Sequence, residues 1–165
     1  GEASDKIYDS ITYGLNPTMQ VSLFVPVGNL AENTRFDLQD ADLVVSGIAG
    51  KAFELLAYRG EQDWDDPEQD YSFRPVTDQP VTDYPPAVMI LSYGSGDIAG
   101  MDEGNLTLYR LGNSGWEVAT CPNYDVQRFP DENLLVVPLC KASTFVLSDQ
   151  QPEMQREIFL PVVSR

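Results

Sequence analysis

The sequence predicts an all-β fold, an antiparallel β-sandwich of about eight or nine strands, and three observations carry that expectation. The apolar runs are short and rich in β-branched residues. Gly, Pro, Asn and Asp separate them. No stretch repeats with the period of a long amphipathic helix; the best candidates, near Ala31 and over 150–156, amount to a turn at most.

Taken in order, Met19, Val21, Leu23 and Val25 alternate with Gln20, Ser22 and Phe24 up to Pro26, the pattern of a half-buried strand. "DADLVVSGIAG" (40–50) reads as a second strand running into a Gly-bounded turn. Phe53, Leu55 and Ala57 alternate through the third. "AVMILSYG" (87–94) is almost continuously apolar, as expected of a strand buried on both faces. "NLTLYRL" (105–111) alternates again, and a Gly-Asn-Ser-Gly turn signal leads into "GWEVATC" (115–121). "NLLVVPLC" (133–140) and "STFVLSD" (143–149) complete the set, and "IFLPVV" (158–163) is either a closing strand or part of a tail.

Residues 1–165 are therefore read as one domain, long enough to bury a sizeable core. Residues 1–18 form an N-terminal extension, and 150–165 a C-terminal strand or tail. Residues 61–86 hold eight acids, one Arg and five prolines, which suit neither helix nor central strand; they are expected to form a long surface loop with Trp64, Tyr71 and Phe73 as anchors. The chain begins Gly-Glu-Ala-Ser without Met, so a processed form or an excised piece is expected, which leaves room for a removed leader.

Composition narrows the function classes. Ten basic against 26 acidic residues give a net charge of −16, which repels a phosphate backbone and an anionic membrane surface alike. Cationic partners or calcium fit the sign, as does a surface charged simply for solubility. No run of about 18 apolar residues suggests a membrane span. The absence of histidine removes the commonest general base and metal ligand, so neither a Ser-His-Asp nor a Cys-His site can be built.

The remaining candidates are few. Cys121 and Cys140 have no metal-binding companions, which favours a disulfide; the alternative is two buried free thiols. A tight hairpin would set residue 121 opposite the region near Asp131. A bond therefore requires the 122–133 loop to fold back or a neighbouring strand to intervene. Asp63, Asp65, Asp66, Glu68 and Asp70 are spaced closely enough to converge on a hard cation, but Pro67 and a missing Gly break the EF-hand pattern, and a solvated acidic loop accounts for them as well. Asp97, Asp102 and Glu103 lie among glycines, where turn chemistry is the competing account. Trp64, Tyr71, Tyr84, Tyr93 and Trp116 would furnish a stacking platform for a carbohydrate or other ligand if exposed, and core if not.

Four segments, "VSLFVPVGNLAENTRFDL", "AFELLAYRG" with "FRPVTDQPVTDYPPAVMILSYGSGDI", "MDEGNLTLYRLGNSGWEVATC" and "NLLVVPLCKASTFVL", cover about residues 19–148. In this order they resemble ZU5 domains, β-sandwich modules of cell-surface and signalling proteins, in their bacterial form. The last is similar to a closing strand that in secreted bacterial versions reads roughly Cys-His-x-Ser-x-Phe-Ala-Leu. Those versions tend to carry cysteines at both places found here, so the resemblance also implies the Cys121–Cys140 bond. The same motif resembles the self-cleavage site of some ZU5-containing proteins, where the serine attacks the preceding carbonyl. Here Lys141 stands where the helper histidine would be and Ala142 precedes Ser143, so a non-cleaving variant is expected.

The expectation is thus a non-enzymatic, extracytoplasmic structural or interaction module of a secreted or surface-anchored bacterial protein. Its partners would be other domains of a parent protein or a surface partner, with no nucleic acid, no membrane insertion and no cofactor. The alternative is a ligand-binding adhesion module, with calcium assistance from the acidic loop and Trp64, Tyr71 and Tyr84 as contacts. An autoproteolytic domain cleaving before Ser143 comes third.

Overall fold

The computed structural model describes residues 8–16, 19–26, 34–59, 67, 71–73 and 87–153. They form two five-stranded antiparallel sheets packed face to face. The strands are β1 (Tyr8–Asn16), β2 (Met19–Pro26), β3 (Thr34–Asp40), β4 (Ala49–Arg59), β5 (Ala87–Ser92), β6 (Thr107–Gly112), β7 (Gly115–Val118), β8 (Gln127–Phe129), β9 (Leu134–Leu139) and β10 (Thr144–Ser148). One sheet, A, runs β1-β2-β5-β9-β8; the other, B, runs β3-β4-β10-β6-β7. Among the described residues, no helix is long and apolar enough to cross a membrane.

Period-two patterning decides which side chains enter the core. Met19, Val21, Leu23 and Val25 of β2 are all buried, as are Ala87, Met89 and Leu91 of β5 and Leu135, Val137 and Leu139 of β9. Sheet B answers with Phe53, Leu55 and Ala57 from β4, Leu108 from β6, and Phe145 and Leu147 from β10. At its centre the Phe53 and Phe145 rings meet with centroids 5.6 Å apart. Both are fully buried, and each contributes about 1.5–3 kcal/mol by leaving water.

The structure differs from the sequence reading in several elements. Part of the expected N-terminal extension is a strand: β1 pairs with β2 from Tyr8–Pro26 to Asn16–Met19. The strand expected over 40–50 lies earlier, as β3, and pairs with β4 from Thr34–Arg59 to Asp40–Phe53. Residues 41–48 are a loop instead, and β4 begins at Ala49, where Gly50 takes a left-handed φ of +74° beside a register shift against β10. Finally, β5 is not buried on both faces, because Val88, Ile90 and Ser92 are only half-buried. The closing strand or tail over 158–163 lies outside the described residues.

The β6–β7 hairpin follows the turn signal. Gly112 pairs with Gly115 across Asn113 and Ser114, and Gly115 has a φ of +127° that a side chain would strain.

Candidate functional site

The two cysteines meet where the chain changes sheets. β7 leaves sheet B after Val118, and Thr120 then pairs with Leu139, the last residue of β9 in sheet A. Further along, Gln127 pairs with Val136. The seven steps from 120 to 127 on one side thus face only three from 136 to 139 on the other. The surplus loops out around Asn123, which takes a left-handed φ of +73°. That loop-out carries residue 121 away from the 131 region and beside Pro138, whose carbonyl accepts from the Cys121 N–H at 2.9 Å. Cys121 and Cys140 then lie 5.1 Å apart at Cα and form a disulfide. Of the routes open to the sequence, folding back of the 122–133 segment is the one used.

The segment that follows Cys140 is held on every side. Phe73 N–H donates to Cys140 O at 2.8 Å, Ala142 N–H donates to Tyr71 O at 2.9 Å, and Ser72 bridges Lys141 between them. Leu55 N–H donates to Ser143 O at 2.9 Å. The Ser143 hydroxyl donates to Leu111 O at 3.1 Å, which directs it along the sheet to a neighbouring strand rather than at the preceding peptide. Among the described residues only Asn123 and Asn133 combine a side chain with positive φ, so the 142–143 backbone holds no left-handed strain.

The aromatic candidates divide by burial. Tyr71 was a candidate ligand contact, and the structure corrects this: it is 3% exposed, edge-on to Phe36 and Phe73 with centroids 5.7 and 5.4 Å away. Its anchoring role, also expected, is the one its packing supports, because the Tyr71–Phe73 segment seals one side of the core. Tyr93 is buried too, and its hydroxyl donates to Glu103 Oε2 at 2.8 Å. Burial, aided by that neighbouring carboxylate, pushes its pKa up to about 12. Trp116 belongs to a second, smaller core on the outer side of sheet B with Ala52, Tyr109 and Val146. Loop 41–48 lends Ala41, Val45 and Ile48 to the same cluster, which explains its strand-like composition: it is a cover. Trp64 and Tyr84 lie outside the described residues, as do Asp63, Asp65, Asp66, Glu68 and Asp70.

The second acidic cluster is occupied by turn chemistry. Asp97 accepts from Gly94 N–H at 2.8 Å, and Asp102 accepts from Gly104 N–H and from the Asn105 amide at 3.1 and 2.7 Å. Asp149 in turn accepts from Asp102 N–H at 2.9 Å. Among the described residues no three Cys, Asp or Glu side chains are grouped so as to hold a metal.

One concavity escaped the sequence reading. An open cleft of about 540 Å³ lies between loop 41–48 and the start of β4, lined by Asp40, Leu43, Val44, Ile48 and Lys51 among others. Leu43 and Val44 are 37% and 69% exposed at its mouth, and Lys51 lies 3.7 Å from Asp40. Read as a strand, these residues gave no sign of a cleft, because only the loop's path over Trp116 creates it.

No family model matches the chain, and neither a curated protein nor a solved structure matches it.

Proposed function

We propose that this chain is a non-enzymatic, extracytoplasmic structural or interaction module of a secreted or surface-anchored bacterial protein, akin to ZU5 domains but not self-cleaving. The observation that carries this reading is the Cys121–Cys140 disulfide, since such bonds persist chiefly in oxidising compartments. Two further features support it. The chain has no histidine, and the hydroxyl of Ser143 and the carboxylates of Asp97 and Asp102 are engaged in bonds that hold strands and turns. The rival adhesion-module reading draws on Trp64, Tyr71, Tyr84, Tyr93 and Trp116, of which Tyr71, Tyr93 and Trp116 are buried and Trp64 and Tyr84 lie outside the described residues.

The test is a thiol titration on protein exported to a bacterial periplasm, purified without reductant and then denatured. No free thiol is expected; two per chain would overturn the extracytoplasmic assignment. Denaturing mass measurement of the same sample is expected to give one intact chain of 18.3 kDa. Two fragments meeting before Ser143 would overturn the non-enzymatic half.

A further inference from the structure

Four strands of sheet A, β2, β5, β9 and β8, turn an uncharged face to the outside. The residues that alternate with their core positions form three rows across the strands: Phe24–Val88–Pro138, Ser22–Ile90–Val136–Gln127 and Gln20–Ser92–Leu134–Phe129. None of these eleven carries a charge. A chain with ten basic and 26 acidic residues among 165 would place about two there by composition alone. Seven are apolar, from Phe24 to Phe129, which is 40% exposed; Phe24, Val88, Ile90, Leu134 and Val136 are half-buried, and Pro138 is buried. The outer side of sheet B differs, carrying Arg35, Asp37 and Glu54 as well as its own covered cluster.

This arrangement also explains why β5 reads as a strand buried on both faces. Its outer residues are apolar although the sandwich itself leaves them half in water. At the spacing of strands and residues in a sheet, the face covers about 300 Å². Only part of that is apolar, so the patch lies below the roughly 300–600 Å² of the largest apolar patches on monomeric proteins, which are often functional. It falls well short of the roughly 800 Å² per partner that a stable complex buries, so it can form the centre of an interface but not the whole.

Charge indicates what completes it. Both flanks of β8 are acidic and exposed, with Asp125 before it and Asp131 and Glu132 after. The strand's own Arg128 is drawn away, donating through Nε to Leu106 O at 2.8 Å and through Nη2 to Thr107 Oγ1. A second copy would bring the same acidic flanks and another −16 charges to the contact. We infer that the outer face of sheet A docks a partner protein surface with an uncharged apolar centre and a basic rim. The inference rests on the interaction-module reading for there being a partner at all, while the compartment is a separate matter decided by the thiols.

The test uses a fluorescent nine-residue peptide alternating Leu and Lys as the probe, with a Ser-Lys peptide of equal charge as its control. Binding is followed by anisotropy at low and high salt. The Leu-Lys peptide is expected to bind at least tenfold more tightly, to weaken as salt rises, and to lose about tenfold with Ile90→Gln. Phe129→Ser, at the more exposed edge, is expected to act in the same direction and guards against misfolding of the first variant. Equal binding of the two peptides, or no effect of either variant, would overturn the proposal. So would concentration-dependent self-association in sedimentation velocity that Ile90→Gln abolishes, since the occupant would then be a second copy.

Discussion

Thr120 pairs with Leu139 in a single antiparallel bridge, one residue before Cys121 on one side and one before Cys140 on the other. That bridge brings the strand leaving sheet B onto the edge of sheet A, and the disulfide locks the transfer. Replacing both cysteines by Ala should lower stability by about 3 kcal/mol, the chain-entropy estimate for a loop of this length. Urea unfolding of the variant and the parent measures it. An unchanged midpoint would mean that the bridge and the Cys121–Pro138 hydrogen bond suffice alone.

Ser143 is tied to Leu111 O across β10 and β6. Ser143→Ala should therefore cost about 1 kcal/mol, the net worth of one neutral hydrogen bond, and leave the chain's mass behaviour unchanged. Thermal melting and denaturing mass measurement together check this. A parent chain that fragments while the variant stays whole would restore the nucleophile reading.

Trp116 is 4% exposed beneath loop 41–48. In a Trp64→Phe background its emission should be blue-shifted and poorly quenched by acrylamide. Trp116→Ala should cost about 3–5 kcal/mol, as for other large aromatic truncations. Emission typical of a water-exposed indole would show that the loop does not cover it.

Tyr93 should make the protein sensitive to alkali. Its folded pKa, raised to about 12, exceeds the unfolded value of 10.0, so the folded state holds its proton more tightly. The stability this contributes is complete below pH 10 and is lost progressively as pH rises from there through about 12, because the unfolded chain then binds fewer protons. Tyr109 is shifted the same way, chiefly by burial. Chemical unfolding measured at pH 9, 10 and 11 should show a smaller decline for Tyr93→Phe than for the parent. Identical slopes would mean that the Glu103 contact does not hold in solution.

How much was legible in the sequence follows from the range of each signal. Alternation is local, so β2, β4, β5, β6, β9 and β10 could be read from neighbouring residues, as could the Gly112–Gly115 turn. The same locality misled at 40–50. Leu43, Val44 and Val45 have strand-like composition, yet Val45 and Ile48 serve a loop that covers Trp116, a residue some 70 positions away. Tyr71 was ambiguous for a similar reason, since an aromatic in an acidic loop reads alike whether it anchors the loop or meets a ligand. Only its packing against Phe36 and Phe73 separates the two.

By itself the sequence determined the fold class, the absence of histidine, the net negative charge and the availability of two cysteines to pair. These depend on composition and on contacts between near neighbours. Tertiary structure alone decided the order of strands in two sheets, the loop-out that brings Cys121 to Cys140, and the gathering of Phe24, Ile90, Val136 and Phe129 onto one uncharged face. Each of these joins residues far apart in the chain, and the partner of a residue is set by register across strands, which no single strand's pattern contains.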